Sequence, residues 1–389
     1  MIKLTKSAFY KEKRTRQLLI EFIKEAAIFS MGKECRQFEK AFAEKQGRKF
    51  AVFVNSGSSA NLILIQSLLN LGKIKHRGLV GVSALTWATN VMPFIQLGLK
   101  PVPIDCEVKT LNVSLRTLKK CKYKLKAFFL TNVLGFSGQI DQIQQYCRQK
   151  GILFLEDNCE GLGSRVNNQL LGNFGLAATF SFFVGHHLST IEGGMVVTDD
   201  EVLYHMLLKV RAHGWDRDLP LEKQQEIRLA YNVDNFLAYY TFYDLAYNVR
   251  PTDIAGSLGN IQINYWDEIV RKREGNFKLL NAAIKTNPEL LALDVNHMNL
   301  VSNFAMPVIA KTKFLLEKYK KRFKDHQVEI RPIIIGDITK QPFFRKYCFI
   351  NNNCPTVEFI HQNGFYFPNN PELTKKEVNL LCSLVKKAG

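Results

Sequence analysis

Seven times between residues 50 and 198 the chain presents a short apolar run, a small or polar break and a stretch suited to a helix. The runs are Phe50–Val54, Leu79–Ser83, Pro101–Asp105, Ala127–Asn132, Ile152–Glu156, Ala178–Phe182 and Gly194–Thr198. Several are apolar at nearly every position instead of alternating, as a strand covered on both faces requires. Strands alternating with helices predict an α/β fold whose large domain is built on a mostly parallel seven-stranded sheet. In such sheets ligands gather beyond the carboxyl ends of the strands, so the residues just after each run are the ones to inspect.

Three places stand out on chemistry alone. After Phe50–Val54 comes Asn55-Ser56-Gly57-Ser58-Ser59-Ala60-Asn61, followed by the nearly all-apolar Leu62–Leu71. A strand, a small polar turn and a helix leave amide N–H groups free at the helix start, an anion cradle at Gly57 and Ser58. Trp87, just after Leu79–Ser83, offers a broad π surface. Asp157 follows Ile152–Glu156 directly and sets a carboxylate at a strand end.

The stretch Phe180–Gly194, FSFFVGHHLSTIEGG, adds a fourth, and Asp157 lies 29 residues before its His186. Together with NSGSSAN, this stretch resembles the active-site loop of the DegT/DnrJ/EryC1/StrS family, fold-type I pyridoxal-phosphate enzymes of nucleotide-sugar chemistry. Family members typically read S-F-x-P-x-K-x-x-T-x-G-E-G-G. Here Ser181, Glu192, Gly193 and Gly194 keep their places, but the lysine position, five residues after Ser181, holds His186. A lysine amine condenses with the cofactor aldehyde, whereas an imidazole has no primary amine and cannot. The resemblance therefore points to the family's His-bearing branch, the 3-dehydratases of nucleotide-linked 4-keto-6-deoxy sugars. There the cofactor rides free as pyridoxamine 5'-phosphate and cycles through pyridoxal 5'-phosphate. His186 is the catalytic base this implies, and an ordinary imidazole pKa of about 6.5 suits that work near neutral pH.

The same resemblance implies the other contacts. Gly57, Ser58 and Ser181 would take the cofactor phosphate, Trp87 the ring face and Asp157 the pyridine nitrogen. Glu160 stands near the cofactor, where most aminotransferases of the family carry Gln. Asn248 would reach the cofactor phosphate of a neighbouring subunit, making a homodimer with shared sites. On the substrate side are His213, in Arg211-Ala212-His213-Gly214-Trp215-Asp216, and Arg250, two residues after Asn248. Arg331 joins them, because a guanidinium fork matches phosphate oxygens. The implied substrate is a nucleotide-diphosphate 4-keto-6-deoxyhexose, GDP-4-keto-6-deoxy-D-mannose first among them, with L-glutamate restoring the cofactor amine. The implied organisation is an N-terminal arm and helix at 1–29 packing with the small domain, a large cofactor-binding domain at 30–258 and a smaller α+β domain at 259–389. In the last, a long helix from about Gly259 to Lys285, strands at Phe304–Ile309 and Val328–Ile335 and a terminal helix at Thr374–Lys387 are expected.

Composition narrows the alternatives. No run approaches the roughly 18 uninterrupted apolar residues of a membrane span, and the N-terminus has no secretory apolar core, so a cytoplasmic enzyme with no membrane partner is expected. Eight cysteines without CxxC spacing argue for reduced thiols and against a metal site. The net charge of +18 suits an anionic substrate. Lys311–Lys324 sets Leu315, Tyr319 and Phe323 at helical spacing, so its lysines form a solvated face. No nucleic-acid signature accompanies the charge. Three rivals stay open. A nucleotide-sugar aminotransferase would want Lys at position 186. A CDP-4-keto-6-deoxyglucose 3-dehydratase with an iron–sulfur cluster would want clustered cysteines, yet none lies between Cys159 and Cys348. No iron–sulfur cluster is therefore expected, although CDP stays open as the carrier. The third rival is a non-enzymatic sensor or scaffold on the same fold.

Overall fold

The computed structural model describes residues 1–350 and 352–387. Its strands, in chain order, are β1 Phe50–Val54, β2 Leu79–Ser83, β3 Lys100–Ile104, β4 Ala127–Thr131, β5 Leu153–Asp157, β6 Arg165–Val166, β7 Gln169–Leu170, β8 Ala177–Ser181, β9 Gly194–Thr198, β10 Met298–Leu300, β11 Ala305–Ile309, β12 Arg331–Pro332 and β13 Gly364–Pro368. Seven of them form the main sheet, in the order β1-β9-β8-β5-β4-β2-β3. Pairing is parallel from β3 through β8, and β9 runs antiparallel to both β8 and β1. The seven runs read from sequence are these strands, each within a residue of its expected ends. A three-stranded antiparallel sheet, β11-β13-β12, serves the C-terminal part.

The apolar runs become strands because helices cover the sheet. Every residue of β4 and β9 is buried, and each large side chain buried this way stabilises the fold by roughly 1.5–3 kcal/mol. A second apolar cluster sits under the stretch that carries the histidines. Phe38 and Phe42 of the helix Lys33–Gln46 meet Phe53, Phe180 and Phe182 with ring centroids 5.0–5.2 Å apart. Phe182 is fully buried, which pins the chain where it leaves β8 and enters the loop.

Three expectations change in the C-terminal part. The single long helix is two, Asp253–Ile263 and Trp266–Lys285. Asn264 and Tyr265 cap and turn between them, and the pattern change placed near Gly259 falls inside the first helix. The strand expected over Val328–Ile335 shrinks to Arg331–Pro332, because it pairs with only two residues of β13. β13 itself, a short apolar run bounded by Asn363-Gly364 and Pro368-Asn369-Asn370-Pro371, is a further strand beyond those expected. The amphipathic basic helix is present as Lys313–Asp325, burying Leu316, Tyr319 and Phe323. Among the described residues no helix is long and apolar enough to cross a membrane.

Candidate active site

The carboxyl ends of β1, β2, β4, β5 and β8 open on one side of the sheet, and β9 begins there. A cavity of about 390 Å³ lies over them, lined by Gly57, Ser58, Trp87, Asp157, Glu160, Ser181, His186 and Arg331 among others. Eight of the expected residues are thus brought together. Each is placed by local geometry.

After β1 the chain turns into the helix Gly57–Asn70, capped by Ser56, whose hydroxyl accepts the amide of Ser59 at 3.0 Å. The amides of Gly57 and Ser58 find no acceptor among the described residues, and they point the positive end of the helix into the cavity. Gly57 allows this turn to lie against β8: a Cβ there would come within 2.7 Å of Ser181 Cβ and 3.0 Å of its hydroxyl. Gly194 closes the seam from the other side, since a Cβ at that position would sit 2.3 Å from the carbonyl oxygen of Ser56.

Asp157 ends β5 and is 5% exposed. Its carboxylate accepts from Asn90 Nδ2 at 2.8 Å, Asn61 Nδ2 at 3.2 Å and the Cys159 amide at 2.9 Å. All three donors are neutral, and no cation pairs with it among the described residues. A buried carboxylate held this way keeps its charge available to a cation arriving in the cavity. Trp87 stands 53% exposed at the rim. Glu160 accepts the Leu134 amide at 2.8 Å. Burial first, and the charge of Asp157 after it, push its carboxyl up to about 8. Arg331 lies exposed at the mouth, held by Glu329 at 2.7 and 3.0 Å.

His186 sits in the turn after β8, its amide donating to the Phe183 carbonyl at 2.8 Å. Its Nδ1 lies 3.3 Å from the Ser181 carbonyl oxygen. A carbonyl only accepts, so Nδ1 carries the hydrogen and Nε2 keeps the lone pair. The Phe304 ring meets the imidazole edge-on at 5.3 Å. Burial holds its pKa down at about 4, with the charge of Arg273 acting in the same direction. The expectation of an ordinary pKa is thus corrected downward: the folded chain favours the neutral ring. His187 is fully enclosed and also shifted well down, mainly by burial. Both shifts mean that the unfolded chain takes up protons the folded chain refuses. Stability should therefore fall as pH drops from about 6.5 toward 4, read by urea unfolding at pH 7 and pH 5. Substituting His187 with Gln should flatten part of that slope.

His213, Asn248 and Arg250 do not line the cavity. They cluster around Trp215 instead, with the His213 ring 4.8 Å from it and the Arg250 guanidinium 5.4 Å from its centroid. Arg250 donates to Asn248 Oδ1 at 3.0 Å, and both residues are exposed. The cavity also uses residues that sequence reasoning passed over. Asn61 and Asn90 hold Asp157, while Phe304 and Tyr366 form the wall opposite the sheet. Asn61 was findable, one helical turn beyond Gly57-Ser58. Tyr366, inside an apolar strand, gave no signal.

A model of the DegT/DnrJ/EryC1/StrS aminotransferase family matches residues 10–386. The chain belongs to this family. GDP-4-keto-6-deoxy-D-mannose 3-dehydratase of Yersinia pseudotuberculosis is 34% identical over 373 residues, covering 95% of this chain and 94% of that protein. A solved structure of E. coli GDP-4-keto-6-deoxy-D-mannose-3-dehydratase with bound hydrated PLP matches with a TM-score of 0.90 and 30% identity, covering 99% of each chain. A structure of GDP-4-keto-6-deoxymannose-3-dehydratase with a trapped PLP-glutamate geminal diamine matches at 0.91 and 31%, covering 99% of this chain and 100% of that one.

For a member of the DegT/DnrJ/EryC1/StrS family, the fit to a pyridoxal-phosphate-type cofactor rests on two observations. The uncompensated Asp157 carboxylate suits a protonated ring nitrogen, and the free amides at Gly57 and Ser58 suit a phosphate. The third element of an aminotransferase site is missing. No lysine lines the cavity among the described residues.

Proposed function

We propose that this protein dehydrates a nucleotide-linked 4-keto-6-deoxyhexose at C3, with GDP-4-keto-6-deoxy-D-mannose as the substrate and the 4-keto-3,6-dideoxy sugar as the product. L-glutamate restores the cofactor amine. The observation that carries this reading is His186 at the head of a cavity without lysine: the site has a proton carrier and no amine of its own with which to tether the cofactor. Pyridoxamine phosphate, when bound, supplies the amine that condenses with the sugar ketone and a ring that draws electrons away from the reacting carbons.

The chain's own groups do the remainder. Gly57, Ser58 and Ser181 would hold the phosphate, Trp87 would lie against the ring, and Asp157 would favour a protonated ring nitrogen. His186 takes a proton at Nε2 and returns it to the departing C3 hydroxyl, so one imidazole serves as base and then as acid. Glu160, with its carboxyl pushed up, stands beside the ring as a proton-bearing neighbour. Arg331 faces the mouth, where the nucleotide diphosphate would lie.

His213, Asn248 and Arg250 serve a neighbouring copy in a homodimer. This part rests on their place outside their own cavity, beside a band of exposed apolar side chains that includes Leu229, Phe236 and Tyr240 at 85%, 82% and 79% exposure. Apolar surface of that extent calls for a cover. Free thiols and a soluble, charged substrate suit work in the cytoplasm.

The test is incubation with GDP-, CDP- and UDP-4-keto-6-deoxy sugars, glutamate and pyridoxal phosphate, followed by mass spectrometry. Loss of the C3 oxygen from the GDP sugar is expected. A product that keeps its oxygen and gains an amino group would make the protein an aminotransferase. For the shared site, Asn248→Ala should weaken cofactor binding about tenfold, the worth of one hydrogen bond to a charged group. Circular dichroism should stay unchanged. A monomer with full activity would contradict the shared site.

A further inference from the structure

Arg331 is exposed at the cavity mouth, yet its guanidinium is gripped from one side. Nε and Nη2 both donate to a single oxygen, Oε1 of Glu329, at 3.0 and 2.7 Å. Glu329 stands two residues earlier, the spacing that puts two side chains on one face of an extended chain. Its other oxygen is not spare. Oε2 accepts the amide of Leu4, 325 residues away in sequence, at 2.9 Å. Glu329 itself is not among the residues that line the cavity.

The segment that supplies this amide is itself anchored. Ile2 lies alongside Val328: its amide donates to the Gln327 carbonyl at 2.9 Å, and its carbonyl accepts the Glu329 amide at 2.9 Å. Ile2 and Leu4 are buried in the main apolar cluster. Asn370 Nδ2 donates to the Leu4 carbonyl at 3.2 Å, and Lys6 pairs with Glu377 at 2.7 Å. An ion pair as exposed as Glu329–Arg331 adds little to stability. What it removes is the rotamer freedom of a long side chain. Nη1 and the second hydrogen of Nη2 are left for other acceptors, with the Tyr366 hydroxyl as the protein group beside the guanidinium. Tyr366 stands directly opposite Arg331 in the β12–β13 register and lines the cavity with it.

We propose that Glu329 is a positioning residue for the diphosphate end of the substrate. Braced by the Leu4 amide, it holds Arg331 along the Nε–Nη2 edge, so that the Nη1–Nη2 fork is set in advance for two phosphate oxygens. The inference rests on the reading of Arg331 as a diphosphate contact. Charge acts the other way, since a carboxylate beside the arginine repels the same phosphate. At an exposed mouth that repulsion is weakened by water and salt. Ordering a long side chain only when ligand arrives would cost about two- to tenfold in affinity. Orientation therefore outweighs repulsion.

The test is calorimetric binding of GDP, CDP and UDP to the cofactor-loaded protein, with steady-state rates alongside. Glu329→Ala should weaken binding of whichever nucleotide the protein takes by about fivefold. KM for the nucleotide sugar should rise by the same factor, with kcat held within about twofold. Glu329→Gln keeps an oxygen for Arg331 and loses the charge, so it should bind within about twofold of the unmodified protein. In an Arg331→Ala background, Glu329→Ala should add nothing to the loss that Arg331→Ala causes alone. If Glu329→Ala binds as well as the unmodified protein, or more tightly, the carboxylate only competes with phosphate and the inference is overturned. An equal loss with and without Arg331 overturns it too, because Glu329 is then merely structural. Should Glu329→Ala not fold, a crystal structure of the unmodified protein with GDP decides. Arg331 bridging Glu329 and the diphosphate supports the inference, and Arg331 turned away from either overturns it. Binding needs no turnover, and dehydratase and aminotransferase substrates share the diphosphate, so the result is separate from the fate of the proposed reaction. Undiminished binding by Arg331→Ala would remove the reading of Arg331 and this inference with it, whereas a loss in that variant alone overturns this inference only.

Discussion

Replacing His186 with Asn is expected to lower C3 dehydration by roughly 10²–10⁴-fold, the usual worth of a positioned acid–base group. Asparagine keeps a donor for the Ser181 carbonyl and is smaller than the imidazole, so it fits the turn without a clash and the cofactor should still bind. What disappears is the lone pair at Nε2. Binding followed by absorbance, with single-turnover rates alongside, separates the two effects, and an unchanged rate would remove His186 from the chemistry. His186→Lys tests the same position in another way. A primary amine there should become linked to the aldehyde form of the cofactor, so borohydride treatment should leave a reduced adduct at residue 186 by mass spectrometry. The unmodified protein should give none. Dehydration by this variant should fall at least about tenfold, or 1.4 kcal/mol, because the tether competes with the free amine.

Asp157→Asn should cost roughly 10²–10³ in rate, as removal of a preorganised charge in a dry site typically does. The carboxylate has only neutral donors around it, so nothing else in the cavity can replace its charge. Asn61 and Asn90 each have a free Oδ1. Both donate to the same Asp157 oxygen, so both amides must rotate to receive the new donor, giving up their bonds to Thr89 and Thr131, and the cofactor-free melting temperature should fall by no more than about a few degrees. A strong loss of melting temperature with normal turnover would mean that Asp157 is structural. A rate loss with an intact melting temperature supports its place at the ring nitrogen.

The sheet was readable because its strands are buried on both faces, so each appears as an apolar run, and the rule that ligands sit past carboxyl ends then located Trp87, Asp157 and Ser181. The turn chemistry at Ser56 and Gly57 was readable for the same local reason. What escaped is non-local. Strand order, and the reversal at β9, depend on contacts that no window of sequence contains. Asn264 and Tyr265 break a helix without any Gly or Pro to announce it. Arg273 lies in Val270-Arg271-Lys272-Arg273-Glu274, where neighbouring charges read as a solvated helix face. Only the packing of that helix against β11 and the residues after β13 turns its guanidinium inward. The family resemblance sent only Asn248 toward a neighbouring subunit; that His213 and Arg250, expected on the substrate side, also lie outside the cavity of their own chain had no signature in composition or period.

Among the described residues, β1 lies at the edge of the main sheet with β9 as its only partner there. β9 is the last of the seven strands to leave a ribosome, so β1 must wait, unpaired, while five other strands of the sheet are synthesised. Pairing across such a long intervening chain carries a large loop-closure entropy and belongs to the slow, high-contact-order events of folding. When β9 finally docks between β1 and β8, it draws the Gly57 turn against Ser181 and fixes the far end of the histidine loop in one step. The cofactor site would thus be completed late, and a chain arrested before residue 194 would carry Gly57, Asp157, Ser181 and His186 while lacking the strand that draws the Gly57 turn against Ser181.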